Sequence, residues 1–376
     1  MVRRIAAIID TNEVSGPGRQ LVSLATSLSK LGVRLTILLL NRPGASIRFY
    51  DFARDHGVDC TIVCDKGAFD PMVVSNVRGE LFRIRPDVVQ THGYKPTGIA
   101  FSLRMLGAKF RWVGFFEGET KKDLKDQIYT KAGLMMLRLA DIVVVMSNLQ
   151  RETFPSALQP RVHVVYNAVP DIGKANGAAL LPPVLRRSRG EDSVLLIGVV
   201  GRLSREKGVD IFLDSFARLA LRSCIVQGVV VGEGALRQHL EAEVERLSLR
   251  ERVFFTGHVS DIASVYAALD LMVIPSRSEG LPSALLEALQ SDLPVVSTGV
   301  GAMIEIAASY PLAIELVPPA RPDLLAQGIE NALEGLYSPE RSAARRMVVA
   351  AFGPEIRCQR MLSIYDQANV LAFGDT

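Results

Sequence analysis

Cysteine is scarce, with four in 376 residues, at Cys60, Cys64, Cys224 and Cys358. So few thiols, so scattered, exclude a disulfide framework. Cys60 and Cys64 bracket a strand-like run with no second pair of Cys or His nearby, which argues against a zinc site and for small buried hydrophobes. An excess of one charge is missing too: the formal net charge is +3, which leaves no footprint for nucleic acid. No window approaches the length of a membrane-spanning helix. The start, Met1-Val2-Arg3-Arg4-Ile5-Ala6-Ala7-Ile8-Ile9-Asp10, pairs basic residues with an apolar run. That run is short and is broken by Asp10, so it reads as a first buried strand rather than a signal peptide. The expectation is a cytoplasmic protein, with peripheral contact at the inner face of a membrane left open. There is no internal repeat beyond the two-fold use of one fold type, and no low-complexity tract.

What is present is a folded α/β chain. Hydrophobic residues make up 48% and charged residues 22%, outside the disordered range, and the length favours two domains over a single core. Short apolar runs at Ile5–Ile9, Leu35–Leu40, Asp59–Val63, Val88–Gln90, Trp112–Phe116, Ile142–Met146 and Val162–Val165 read as strands. Helical patterns such as Gln20–Leu31 and Thr97–Leu106 separate them. Strands that are apolar throughout, with helices between, imply a parallel sheet covered on both faces. The stretch 169–192 holds Gly173, Gly177, Pro182, Pro183 and the basic cluster Arg186, Arg187 and Arg189, which is linker composition. A second series follows at Val194–Val200, Ile225–Val231, Val253–Thr256, Leu271–Ile274, Val295–Ser297 and Ala313–Val317. The reading is two Rossmann-like doubly wound domains, 1–168 and 193–353, facing a cleft. Ligands belong at the carboxyl ends of the strands. A helix over 354–372, with Met361, Ile364, Tyr365 and Ala368 on one face, is a candidate to pack back on the first domain.

The chain is organised around Pro275-Ser276-Arg277-Ser278-Glu279-Gly280-Leu281-Pro282-Ser283-Ala284-Leu285-Leu286-Glu287. An apolar strand runs into a polar turn, and a helix opens near Pro282, where Pro is tolerated. The first-turn N–H groups suit an anion. Two readings stand for the flanking carboxylates. Glu279 and Glu287 accept from hydroxyls of a phosphate-bearing ligand, or Glu279 complements the helix dipole while Glu287 is solvated. Upstream, Gly201-Arg202-Leu203-Ser204-Arg205-Glu206-Lys207-Gly208 follows a strand directly. Arg202 and Lys207 there can neutralise a diphosphate without a metal, or form a solvated basic turn. Gly232-Glu233-Gly234 and Thr256-Gly257-His258 add further glycine turns on the same edge, a grouping that favours a nucleotide.

These motifs, in this order and strand context, resemble the retaining glycosyltransferases of family 4, which have the GT-B fold. The likeness rests on Gly201-Arg202-Leu203, Glu206-Lys207-Gly208, Gly232-Glu233-Gly234, Phe255-Thr256-Gly257, and Glu279 with Glu287 eight positions on. It is specific across Val194 to Glu305 and looser before. Val164-Val165-Tyr166-Asn167-Ala168-Val169 resembles the family's Asn-Gly-Val segment, with Ala168 replacing Gly. The resemblance implies a sugar nucleotide bound mainly by the second domain. Arg202 and Lys207 would hold the diphosphate. Glu279 would accept from sugar hydroxyls near the amides of Gly280 and Leu281, and Glu287 from the ribose. Gly201, Gly232 and Glu233 belong to the same donor loops, and backbone around His258 and Val259 would meet the base.

In the first domain, Gly16 and Gly18 lie in a segment similar to the family's glycine-rich loop. The segment is not a Gly-x-Gly-x-x-Gly fingerprint, because Leu21 holds the third glycine position. A tight turn is the other reading. His92 resembles a cleft histidine of the family; taken alone, it fits packing as well as function. One departure concerns Glu117, which stands where many relatives carry His. A carboxylate there supplies no positive charge, but it can orient an acceptor or stabilise a developing cation. Glu117 also keeps open a non-catalytic sugar-nucleotide-binding protein, beside a third reading as a nucleotide-sugar epimerase of this fold. Lys121, Lys122, Lys125 and Lys131, interleaved with Leu124, Ile128, Tyr129, Leu134 and Met135, read as a basic amphipathic helix. It suits an anionic membrane surface or an ordinary solvated flank.

No Asp-x-Asp metal pair falls on a suitable turn. The resemblance therefore implies metal-independent transfer from a UDP- or GDP-sugar to a saccharide or lipid-linked acceptor, with no cofactor and no nucleic-acid partner.

Overall fold

The computed structural model describes residues 2–67, 70–116, 124–175, 194–220 and 226–370. The chain divides into two compact units, Met1–Pro170 with Gly353–Thr376, and Asp171–Phe352.

The first unit is a seven-stranded parallel sheet made of β1 (Arg4–Ile9), β2 (Arg34–Asn41), β3 (Cys60–Cys64), β4 (Val88–His92), β5 (Arg111–Phe116), β6 (Ile142–Val145) and β7 (Val162–Val164). The order is β3-β2-β1-β4-β5-β6-β7. Each connection is a right-sized crossover, so every strand ends on the same edge. Alternate residues of β1 and β2 enter separate cores. Ile5, Ala7, Ile9, Ile37 and Leu39 pack with the helix Gly16–Ser29. Ile8, Leu38 and Leu40 pack with Val73, Val77, Ile99 and Leu103 on the opposite face. Period-two side chains thus fill both faces, which is why these strands are apolar throughout.

The C-terminal helix Pro354–Val370 belongs to the first unit. Its Met361, Ile364, Tyr365 and Ala368 are buried in the core that holds β1 and the helix Gly16–Ser29. Arg357 donates to Gln20 O at 2.8 Å, and the Val2 N–H donates to Asp366 Oδ1 at 3.1 Å.

The second unit is a six-stranded parallel sheet made of β8 (Leu195–Val200), β9 (Val226–Val231), β10 (Val253–Gly257), β11 (Leu271–Ile274), β12 (Val295–Thr298) and β13 (Glu315–Val317). The order is β10-β9-β8-β11-β12-β13. The strand order reverses between the parallel neighbours β8 and β11, and open α/β sheets bind ligands at the carboxyl ends of such a switch point. The helix Val209–Ala220 fills one face, with Phe212 and Phe216 wholly buried.

Three expectations change. Gly16 and Gly18 do not form a loop. They are the first turn of a helix that starts at Gly16, because Ser15 caps it by accepting from the Gly18 N–H at 3.3 Å and Pro17 sits in its first turn. Cys60 is buried but Cys64 is exposed, since β3 is an edge strand whose far end has no neighbour on one side. Pro282 is the cap residue of the helix Ser283–Gln290 rather than its first member. Most of the linker (176–193), together with Cys224, lies outside the described residues. Among the described residues, no helix is long and apolar enough to cross a membrane.

Candidate functional site

The carboxyl edge of the second unit is built from backbone that approaches backbone. Gly201, Gly232 and Gly257 end or follow β8, β9 and β10 with φ of 153°, 134° and 71°. The Gly201 N–H donates to Val231 O and the Gly232 N–H to Gly257 O, both at 2.9 Å. A Cβ on Gly232 would stand 2.0 Å from Gly201 O, and one on Gly208 2.0 Å from Pro275 O. Gly301, at φ 55°, faces the carbonyls of Glu279 and Gly280 in the same way. The glycines are therefore required by contact between loops as well as by any ligand.

Two further links fix the loop after β8 to the loop after β11. The Arg277 N–H donates to Glu206 O at 2.8 Å, and the Arg277 guanidinium takes both oxygens of Asp210 at 2.7 and 2.5 Å. Burial alone would raise the Asp210 pKa, but the Arg277 fork and backbone N–H groups hold it below the ordinary carboxylate value.

At the centre, Lys207 Nζ lies 2.6 Å from Glu279 Oε1. Ser276 Oγ donates to the same oxygen at 2.9 Å. Ser276 is itself held through its carbonyl, which accepts from Thr298 Oγ1 at 2.6 Å. Gly201, Arg202, Lys207, Ser276 and Glu279 line one depression together with Pro282. Glu279 Oε2 makes no bond among the described residues, so one carboxylate oxygen is committed and the other faces outward. Arg202 is largely exposed and pairs with Glu206 at 3.2 Å. The helix Ser283–Gln290 begins beside this group with no side chain capping it.

Glu287 does not line that depression. It is buried, and its Oε2 accepts from the Tyr266 hydroxyl at 2.7 Å. The solvated reading of Glu287 is thereby removed, and the dipole-only reading of Glu279 is replaced by an ion pair. Glu233 pairs with Arg237 at 2.9 Å. The Gly280 carbonyl accepts from the Ala302 N–H, and Leu281 is buried beside it. His258 is exposed and Val259 half-buried after β10.

In the first unit, Gly16 and Gly18 open the helix after β1. A Cβ on Gly18 would meet the Phe49 ring at 2.7 Å, so this glycine answers to packing. His92 ends β4, buried, with its ring stacked on Phe115 at 4.3 Å and its Nε2 2.6 Å from Gln90 Nε2. Lys95 pairs with buried Asp65 and donates to Gly67 O at 2.5 Å. Burial lifts the pKa of nearby Asp10 above its ordinary value; Lys95 and Arg42 pull it down and the Asp65 charge pushes it up. Ala168, at the Asn-Gly-Val position, is bonded at both N–H and C=O by the Gln20 amide, at 2.9 and 2.8 Å.

Glu117, Lys121 and Lys122 lie outside the described residues, as does the side chain of Lys125. Lys131 and Met135 are exposed on the helix Leu124–Leu137.

Sequence reasoning missed the roles of Ser276, Thr298, Tyr266, Gln90 and Tyr365. Thr298, Tyr266 and Tyr365 meet partners on other elements, while Ser276 and Gln90 meet residues two or three positions away at spacings too common to mark a site. Glu206 was within reach, standing four residues after Arg202 in the same short loop.

A sequence model described as "Glycosyltransferase Family 4" matches residues 14–171, and one described as "Glycosyl transferases group 1" matches residues 195–335. Together they cover more than half of the chain. The alpha-D-kanosaminyltransferase of Streptomyces kanamyceticus is 30% identical over 212 residues, 55% of each chain. The lipopolysaccharide core biosynthesis mannosyltransferase LpsB of Rhizobium meliloti is 38% identical over 117 residues, 29% of this chain and 33% of that one. The matched region thus spans about half the length of the first relative and about a third of the second. Among solved structures, HepE of Anabaena, in complex with UDP and glucose, superposes with a TM-score of 0.78 at 18% identity, covering 96% of this chain and 99% of that chain. At that identity the likeness concerns the fold.

Proposed function

The chain belongs to the family 4 glycosyltransferases, with the GT-B fold, and from that premise we propose that it is a retaining, metal-independent glycosyltransferase acting on a nucleoside-diphosphate sugar. The acceptor is a saccharide or lipid-linked hydroxyl in polysaccharide or glycolipid assembly. UDP or GDP carries the donor sugar; the UDP complexes of HepE support a nucleotide of this class.

The observation that carries the reading is the pairing of Lys207 with Glu279 across two loops of one edge, beside an uncapped helix start. As the anomeric C–O bond breaks, negative charge gathers on the departing diphosphate. An ammonium has three donors, so Lys207 can keep Glu279 and still reach a phosphate oxygen. Arg202 and the first-turn N–H groups add to that field, which is electrostatic stabilisation of the leaving group. These cations take the place a divalent ion would otherwise hold. Glu279 Oε2 is the acceptor for sugar hydroxyls, and Glu287, oriented by Tyr266, for the ribose. The sugar passes through oxocarbenium character. A donor phosphate oxygen takes the acceptor proton while the new glycosidic bond forms on the same face. The nucleoside diphosphate then leaves. Peripheral attachment through the basic stretch around Lys131 completes the reading, supported by the exposure of Lys131 and Met135 together.

The test is transfer from labelled UDP- and GDP-sugars by the full chain, with and without chelator. Transfer that survives chelation, with retained anomeric configuration in the product, is the expected result. Loss of transfer on chelation, or an inverted product, overturns the corresponding part.

A further inference from the structure

The C-terminal helix reaches a histidine of β4 through a buried amide. Tyr365 lies wholly buried on the helix Pro354–Val370, and its hydroxyl donates to Gln90 Oε1 at 2.5 Å. Gln90, equally buried on β4, turns its amide nitrogen to His92 Nε2 at 2.6 Å. An amide nitrogen only donates. The ring nitrogen it meets must therefore carry a lone pair, and the proton of a neutral ring must sit on Nδ1.

The alternative amide orientation would offer Gln90 oxygen to His92 and its nitrogen to Tyr365. The phenol oxygen could accept that bond, but its own hydrogen would then be left with no acceptor among the described residues, in a site closed to water. A buried donor without a partner is the costlier arrangement. Burial also holds the Tyr365 pKa far above its ordinary value, so the phenol keeps its hydrogen and stays a donor. The hydroxyl thus decides which way the amide faces, and the amide decides the tautomer.

We propose that Tyr365 is a positioning residue: through Gln90 it fixes His92 as the tautomer protonated at Nδ1. The consequence for function rests on the reading of His92 as a site residue. A ring held this way has its Nε2 occupied by the amide, which withholds that nitrogen from proton transfer. The packing of the returning helix, 275 positions from Gln90, is then a condition for the ring's chemistry and not only for the core.

The experiment is 15N NMR of the full chain carrying ring-labelled histidine, with the His92 signal among the five histidines identified by its loss in His92→Ala. The native chain should show His92 protonated at Nδ1 and bare at Nε2. Tyr365→Phe, which keeps the ring and removes only the hydroxyl, should mix the two tautomers and lower kcat by about two- to tenfold with the donor KM unchanged. Gln90→Glu puts an acceptor against Nε2, so it should move the proton there or charge the ring, and lower kcat further, by about a hundredfold. A native ring protonated at Nε2 overturns the assignment, and this needs no variant to fold. A native Nδ1 proton that Tyr365→Phe and Gln90→Glu both leave in place overturns the role of Tyr365. If the tautomer behaves as stated but His92→Ala transfers sugar at the native rate, the positioning stands and the site role of His92 falls.

Discussion

The carboxyl edges of the two sheets solve the same problem by different means. In the second unit, loops touch through backbone: Gly232 against Gly201, Gly208 against Pro275, Gly301 against Glu279. In the first unit, the corresponding edge is set by side chains reaching across the unit. Gln20 holds both ends of Ala168, Tyr365 holds Gln90, and Lys95 holds Asp65. Backbone contact demands glycine at fixed places beside a strand. Side-chain contact accepts any residue that presents the right group from the right distance. The first kind of edge leaves a local motif, and the second leaves none.

The largest effect should come from breaking the backbone contacts. Gly232→Ala adds a Cβ 2.0 Å from Gly201 O at φ 134°, a clash and a strained conformation together. It should destabilise the second unit by about 3 kcal/mol or more, read as a lowered denaturation midpoint. Gly18→Ala in the first unit meets a movable Phe49 ring and should cost clearly less. Equal losses from the two would remove the distinction.

Next comes the charge at the centre of the second edge. Lys207→Ala should lower kcat about a hundredfold, the magnitude expected when a leaving-group stabiliser is removed. Unchanged kinetics would reassign Lys207 to holding Glu279 in place. Glu287→Gln should weaken donor binding about tenfold, a hydrogen bond to a charged group being worth about 1.5–3 kcal/mol. Calorimetry against the native chain would check it.

That difference between the edges also marks what could be read from the residues. The strands announced themselves because both faces are buried, as the split of Ile5 and Ile8 between two cores explains. Lys207, Glu279 and Glu287 were legible because each follows a strand or opens a helix at a spacing the chain geometry fixes. The helix start at Gly16 was missed because two glycines flanking Pro17 read as a tight turn, and the Ser15 cap that begins the helix carries the same signature in a turn. Cys64 was misjudged because exposure depends on which strand ends the sheet, and strand order is a long-range fact. Tyr266 and Tyr365 were invisible for the same reason: their partners lie 21 and 275 positions away with no pattern linking them.

The smallest effect is on acid stability. The lowered Asp210 pKa adds stability above its unfolded value of about 4, and that contribution disappears as pH falls through the folded value. Arg277→Gln should flatten the loss of stability below about pH 4. At neutral pH it should cost under about 1 kcal/mol, since both partners are about a third exposed and screened. An unchanged acid limb in denaturant titrations at several pH values would show that Asp210 gains nothing from the fork.

The central claim is that Lys207 and its neighbours hold a diphosphate. Calorimetric titration of UDP and GDP into the native full chain and into Lys207→Ala tests it most directly. Saturable binding of at least one of them to the native chain, with affinity weaker by about tenfold or more in the variant, is the expected result. Equal affinity in the two proteins, or no binding of either nucleotide to the native chain, would contradict it.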